Sequence, residues 1–161
     1  ITKLTAVAEG GSTRQQSVKN GAALAQGADY IAIHDGARPL VTPQDIDKVV
    51  ADAQKHGAAA LGVQVKDTIK VVDNNGFILS TPNRSSLIAI YTPQVFKTDM
   101  YMQAMKKAEE DNKDYTDDCQ LVEALGKRVL VTVGSAENIK LTTPEDIAVA
   151  ESFLKRRGNL K

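Results

Sequence analysis

The stretch Tyr30-Ile31-Ala32-Ile33-His34-Asp35-Gly36-Ala37-Arg38-Pro39 decides the fold. Its first four residues are a near-continuous apolar run, which predicts a central parallel strand covered on both faces. The polar residues after it then leave the strand at its carboxyl end, where open α/β sheets receive ligands. Asp35 is placed to reach a metal or a hydroxyl, and Arg38 offers a planar fork for a phosphate or carboxylate. Gly36 and Ala37 lack bulk, so a ligand can approach their backbone. Spacing alone leaves a second reading equally open, in which an Asp35–Arg38 pair merely ties off a turn. His34 reads as a structural residue at the strand end.

Toward the N-terminus, Leu4 to Ala8 predicts a short strand closed by Glu9-Gly10-Gly11. Ser12 or Thr13 caps a helix over about Arg14 to Ala25, with Val18, Ala22 and Leu24-Ala25 inward and Gly27 ending it. Toward the C-terminus, Thr42-Pro43-Gln44-Asp45 starts a helix with a Thr cap and a proline in its first turn. Ile46, Val49, Val50 and Ala53 share one face of that helix, Gly57 ends it, and Ala58 to Val65 is the next buried strand. Thr68 to Val72 and Phe77 to Thr81 then flank Asp73-Asn74-Asn75-Gly76, a hairpin turn. A hairpin has no place in a plain βαβ succession, so it is expected to project as an arm.

Ile88 to Tyr91 predicts a short strand ended by Thr92-Pro93. Thr98 is expected to cap a helix from about Asp99 to Glu110, and Thr116 another from Asp117 to Leu125, ended by Gly126. Val129 to Val133 and Asn138 to Leu141 predict the last strands. Thr143-Pro144-Glu145-Asp146 repeats the helix-start device, with Ile147, Ala150, Phe153 and Leu154 packing inward. Strands alternating with helices give a three-layer α/β domain with a parallel or mixed sheet.

Composition narrows the function. The 161 residues carry 20 Lys and Arg against 20 Asp and Glu, a formal net charge of +0. That argues against a broad basic field for holding nucleic acid. Apolar residues at 42% and charged residues at 25% match a packed globular chain rather than a disordered one. No apolar run approaches a membrane span and no signal-peptide pattern opens the sequence. The single cysteine, Cys119, excludes an internal disulfide framework, and two histidines argue against a structural zinc cluster. The expectation is a soluble, cytoplasmic protein with neither nucleic acid nor membrane as partner.

Other candidate groups divide by context. Gly10-Gly11-Ser12-Thr13-Arg14 with Ser17 could expose backbone N–H groups to an anion or a ring, but the fingerprint is incomplete and a structural reading leads. Lysines outnumber arginines 14 to 6. Arg14, Arg38 and Arg84 sit in turns beside Ser, Thr, Gly or Asn, as oxyanion receptors do, and Lys140 is placed to face the same crevice. Thr116-Asp117-Asp118 could be metal ligands, although acidic residues are favoured in a first helical turn anyway. Cys119 reads as a packed side chain, and Met100, Met102 and Met105 as helix-face residues.

Six motifs in order complete the reading: His34-Asp35-Gly36-Ala37-Arg38-Pro39, Val65-Lys66-Asp67-Thr68-Ile69-Lys70, Asn83-Arg84-Ser85, Tyr91-Thr92-Pro93-Gln94, Thr116-Asp117-Asp118 and Asn138-Ile139-Lys140-Leu141-Thr142-Thr143-Pro144-Glu145-Asp146. Over nearly the whole chain the set resembles the 2-C-methyl-D-erythritol 4-phosphate cytidylyltransferase family. Enzymes acting on ribitol 5-phosphate share much of it, but Arg84-Ser85-Ser86-Leu87 leading to Thr92-Pro93-Gln94 is more like the methylerythritol enzyme.

The resemblance implies a Rossmann-like three-layer sandwich, nucleotide-diphospho-sugar transferase-like, with a mixed, mainly parallel sheet. Residues 1–161 would form a single cytidylyltransferase domain with a hairpin arm at about 66–86. The implied reaction moves a cytidylyl group from CTP to 2-C-methyl-D-erythritol 4-phosphate in the non-mevalonate isoprenoid pathway, with Mg²⁺ accompanying CTP. Carried over by motif, Gly11, Ser17, Asp35 and Gly36 would bind the nucleotide. Arg38, Thr68, Arg84, Thr92, Thr116 and Lys140 would bind the alcohol phosphate. Arg84, Lys140, Arg38 and Asp35 are the implied catalytic groups, and Asp35 the implied metal contact.

In the family the arm crosses into a neighbouring subunit, so Thr68 and Arg84 would complete the partner's pocket in a homodimer. A phosphate oxygen attacks the α-phosphorus of CTP and pyrophosphate leaves. A largely ionised phosphate needs no strong base, and the barrier is charge crowding between two anions.

The family also begins with a strand, a Gly-rich triphosphate loop and a lysine, none of which this sequence contains, and residue 1 is Ile. The expectation is an N-terminally truncated chain, the C-terminal two-thirds of the domain. Alone it is expected to fold poorly, since the family's first strand lies in mid-sheet, and to transfer nothing. The alternatives are a ribitol 5-phosphate cytidylyltransferase and an inactive dimerising fragment.

Overall fold

The computed structural model describes residues 2–25 and 27–158. Six strands, β1 (Tyr30–Ile33), β2 (Ala58–Gln64), β3 (Val71–Val72), β4 (Ile78–Ser80), β5 (Ile88–Lys97) and β6 (Leu130–Val133), occur among the described residues. With them are five helices, α1 (Arg14–Ala22), α2 (Pro43–His56), α3 (Thr98–Glu110), α4 (Asp118–Ala124) and α5 (Pro144–Arg156). The main sheet has the order β1-β5-β2-β6. β5 runs antiparallel to both β1 and β2, while β2 and β6 are parallel. The sheet is therefore mixed. Three strands share a direction, but two of the three pairings are antiparallel because β5 enters between β1 and β2.

Both faces of the sheet are packed. Val49 and Ala53 of α2 lie against Ala59, Leu61 and Val95 on one side. On the other, Phe96, Ala58 and Ala60 meet Tyr101, Ala104 and Met105 of α3 and Leu121 and Val122 of α4. Alternation along β2 and β5 feeds both layers, giving the three-layer arrangement. Thr42 accepts from the Asp45 N–H to start α2, and Gly57 at φ 88° ends it in the left-handed region that glycine tolerates.

Several local expectations need correction. β1 is an edge strand, not a central one: it pairs only with β5, and Ala32 is exposed. Leu4 to Ala8 is not a strand, since it has no pairing partner among the described residues, and Val7 is 83% exposed. α1 stops at Ala22, three residues early. β5 does not end at Tyr91 but continues through a cis Thr92–Pro93 peptide to Lys97, because both its neighbours keep pairing with it. Thr98 is the first residue of α3 and gives it no side-chain cap. Asp117, not Thr116, caps α4 by accepting from the Gln120 N–H.

Asn138 to Leu141 is not a strand either, because its backbone hydrogen bonds go to other loops. Ile147 of α5 points outward, 53% exposed, leaving Ala150 as the helix's buried residue. The hairpin forms as read but is shorter, with β3 and β4 pairing as a separate two-stranded sheet. Asp73 Oδ1 accepts from the Asn75 and Phe77 N–H groups at its turn. Its apolar side chains are exposed, Phe77, Ile78 and Leu79 by more than half. None of the described helices is long and apolar enough to cross a membrane.

Candidate active site

Beyond the carboxyl end of β1, three cations gather on one carboxylate. Lys140 Nζ lies 3.1 Å and Arg38 Nε 3.5 Å from Asp35 Oδ2, while Arg14 Nη2 lies 3.7 Å from Oδ1. Burial pushes the Asp35 carboxyl up, but the hydrogen bond and charge of Lys140 and the charges of Arg14 and Arg38 outweigh it. The net result is below the ordinary carboxylate range.

Each cation is held by its own support. Arg38 is buried, with its guanidinium 4.3 Å over the Tyr91 ring and Nη1 donating to the Asn138 carbonyl at 2.8 Å. Asn138 is also buried, and its Nδ2 donates to the Thr92 carbonyl at 2.9 Å. The Leu141 N–H donates to the Ala37 carbonyl at 2.8 Å. These bonds lash the 138–141 segment to β5 and to the Asp35–Arg38 turn, and Lys140 lies between them. Arg14, in the first turn of α1, donates to Asp118 Oδ2 at 2.7 Å.

A relay fixes the turn from behind. The Arg38 carbonyl can only accept, so His34 Nε2 carries the proton and donates to it at 3.0 Å. His34 Nδ1 then accepts from the Thr92 hydroxyl at 3.0 Å, and that oxygen accepts from the Asp35 N–H at 3.0 Å. His34 is thus structural, as read. Thr92 is buried, and its hydroxyl, bonded to both His34 and Asp35, supports the turn beside the cluster.

The other sequence candidates lie around this cluster. The Gly11 N–H donates to Ser17 Oγ at 2.9 Å, closing the turn before α1, and a Cβ at Gly11 would run into Gln16. A Cβ at Gly36 would meet nothing, which leaves its backbone open to a ligand. Thr116 is exposed and donates to Gln120 Oε1, two residues before Asp118. Thr68 is exposed on the arm. Arg84 sits at the arm's base, where Nη1 donates to the Lys66 carbonyl at 2.7 Å. Asp35, Arg38, Thr92 and Lys140 are brought together, whereas Thr68 and Arg84 have no bond to that cluster among the described residues.

Asp35, the expected magnesium contact, is engaged by three cations in this arrangement. It is the carboxylate that the three cations already share, and no group of three metal-ligating side chains occurs among the described residues. Burial and the nearby Asp117 and Glu123 carboxylates push the Cys119 thiol well above its ordinary value, so it stays a packed, protonated side chain.

A family model for IspD, 2-C-methyl-D-erythritol 4-phosphate cytidylyltransferase, matches residues 2–156. The chain belongs to this family. The enzyme of that name from Desulforamulus reducens is 49% identical over 159 residues, covering 98% of this chain and 68% of the relative. That from Pelotomaculum thermopropionicum is 48% identical over 162 residues, covering 99% and 68%.

Among solved structures, the cytidylyltransferase of Thermus thermophilus superposes with a TM-score of 0.82 at 33% identity, over 91% of this chain and 71% of that one. The 4-diphosphocytidyl-2C-methyl-D-erythritol synthase of Anaerococcus prevotii gives 0.85 at 33%, over 91% and 68%. The IspD reaction is CTP-dependent cytidylyl transfer to 2-C-methyl-D-erythritol 4-phosphate.

Arg14, Asn138, Gln94, Tyr91 and the Asp118–Tyr101 pair carry more of the site than their sequence context suggested. Arg14 had a local signal, its place beside a glycine turn; Tyr91, Gln94 and Asn138 stood inside quoted motifs without a role, Asp118 was weighed as a metal ligand or a first-turn acid, and Tyr101 carried no signal.

Proposed function

We propose that Lys140, Arg38 and Arg14 receive the phosphates of the two reactants, with Asp35 holding the cations in register until those phosphates arrive. The supporting observation is the convergence of all three on one half-buried carboxylate at a strand end. Two anions must meet for a phosphate oxygen of the alcohol to attack the α-phosphorus of CTP. A preformed ring of cations lowers that repulsion without reorganising. The open backbone at Gly36 and the Gly11–Ser17 turn are the proposed contacts for the nucleotide. Mg²⁺ would enter with the triphosphate of CTP as its counter-ion, and no residue here is assigned to cage it.

The arm is the proposed dimer contact. Exposed Phe77, Ile78 and Leu79 are more apolar surface than a free hairpin keeps in water, and burial against a second copy would cover them. In that dimer Arg84 and Thr68 would reach the partner's crevice. Thr116 is proposed to line the same crevice on the alcohol side.

The test offers the complete gene product CTP with methylerythritol phosphate or ribitol 5-phosphate and follows pyrophosphate release. Transfer to the methylerythritol substrate is expected, and a preference for ribitol 5-phosphate would replace this reading.

A further inference from the structure

Asp118 and Tyr101 are a buried polar pair with no part in the function proposed above. Asp118 is fully buried at the start of α4, and Tyr101 is fully buried on α3, stacked 5.3 Å from Phe96. The Tyr101 hydroxyl donates to Asp118 Oδ1 at 2.6 Å, and Arg14 Nη2 donates to Asp118 Oδ2 at 2.7 Å. Gln94 Oε1 accepts from the Asp118 and Cys119 N–H groups, which fixes the direction of the helix start. The same Arg14 nitrogen faces Asp35 across the crevice.

We infer that Asp118 and Tyr101 are positioning residues, which together aim the Arg14 guanidinium at the crevice. A buried carboxylate is costly unless every lone-pair direction finds a donor. Here one oxygen is satisfied by a neutral hydroxyl from the core and the other by a cation from the site. Replacing Tyr101 would leave Asp118 to draw Arg14 inward for compensation, away from Asp35. Removing Asp118 would free Arg14 to swing into water.

Burial first, and then the Asp118 charge, push the Tyr101 hydroxyl far above its ordinary pKa, so it remains a donor throughout the working range. Burial lowers the Arg14 pKa, but the hydrogen bond and charge of Asp118 more than reverse this, and the cation is secured. Three cations and two carboxylates leave the crevice a single positive excess. That is enough to attract phosphate and small enough to keep the cations from repelling one another apart.

This inference rests on the phosphate-receiving role proposed for Arg14. Its test is a double-mutant cycle in the complete gene product, reading kcat and KM with CTP and methylerythritol phosphate. Tyr101→Phe keeps the stacked ring and is expected to lower kcat/KM about tenfold. In an Arg14→Gln background the same change is expected to cost less than about twofold, because nothing is left to aim. Asp118→Asn should show the same coupling.

An equal fold-loss from Tyr101→Phe in both backgrounds would overturn the inference, since that is the behaviour of a plain core residue. So would wild-type kcat/KM in Tyr101→Phe, or failure of that variant to fold, which would make the hydroxyl structural. If Arg14→Gln alone leaves kcat/KM unchanged, the proposed role of Arg14 falls and this inference with it. Coupling lost while Arg14→Gln still impairs transfer would remove the positioning pair alone.

Discussion

Lys140 and Asp35 meet at 3.1 Å, although one lies beyond the last strand and the other just after the first. Their meeting depends on Asn138, which accepts from Arg38 and donates to the Thr92 carbonyl on either side of the contact. Lys140→Ala is expected to lower kcat by about a hundredfold, as removal of one preorganised donor does elsewhere. Stopped-assay turnover of a variant with an unchanged melting curve is the check.

Arg84 belongs to the proposed partner pocket. Arg84→Ala and Lys140→Ala are each expected to be nearly inactive as separate enzymes. Mixed and allowed to exchange subunits, they should regain about a quarter of the wild-type rate, because each mixed dimer then holds one intact site. No recovery, with exchange verified by mass, would place Arg84 in its own subunit's chemistry or in none.

Thr92 gives a prediction about stability. Thr92→Val keeps the shape but strands the Asp35 N–H and His34 Nδ1, at a cost of about 1–3 kcal/mol. Thr92→Ser keeps the hydroxyl and should cost less. Urea unfolding of the two variants side by side distinguishes them.

Acid stability follows from Asp146. Its Oδ2 accepts from the Thr142 and Thr143 N–H groups, which hold the carboxyl below its ordinary value of 3.8. A carboxyl depressed by folding contributes fully above its unfolded pKa, and that contribution vanishes as pH falls through the lower folded value. Tm should therefore drop below about pH 4 in the wild type and drop less steeply in Asp146→Asn, with the two curves converging in strong acid. Parallel curves across that window would show that the cap does not titrate.

Long-range pairing sets the limit of what the sequence discloses. α2 was legible from Thr42-Pro43 to Gly57 because caps and apolar spacing are local signals, and the Asp73–Gly76 turn was legible for the same reason. β1 read as central because four apolar residues say that a strand is covered, not how many neighbours it has. The 138–141 segment read as a strand because alternation cannot show that its backbone bonds lead to Ala37 and Arg38. In the site, Arg38, Lys140 and Asp35 were visible as charged residues at loop ends. Tyr101 was not, because a tyrosine inside an apolar helix face looks like any packed aromatic until its hydroxyl is seen on Asp118.

If the three cations receive phosphates as proposed, Asp35, on which they converge, stands in for that anion beforehand. An incoming phosphate then exchanges with a tethered carboxylate rather than filling empty space. Singly charged solutes such as chloride make poor competitors against that built-in occupant. Only a ligand bearing denser negative charge, with oxygens spread wide enough to engage several donors at once, gains by displacing it.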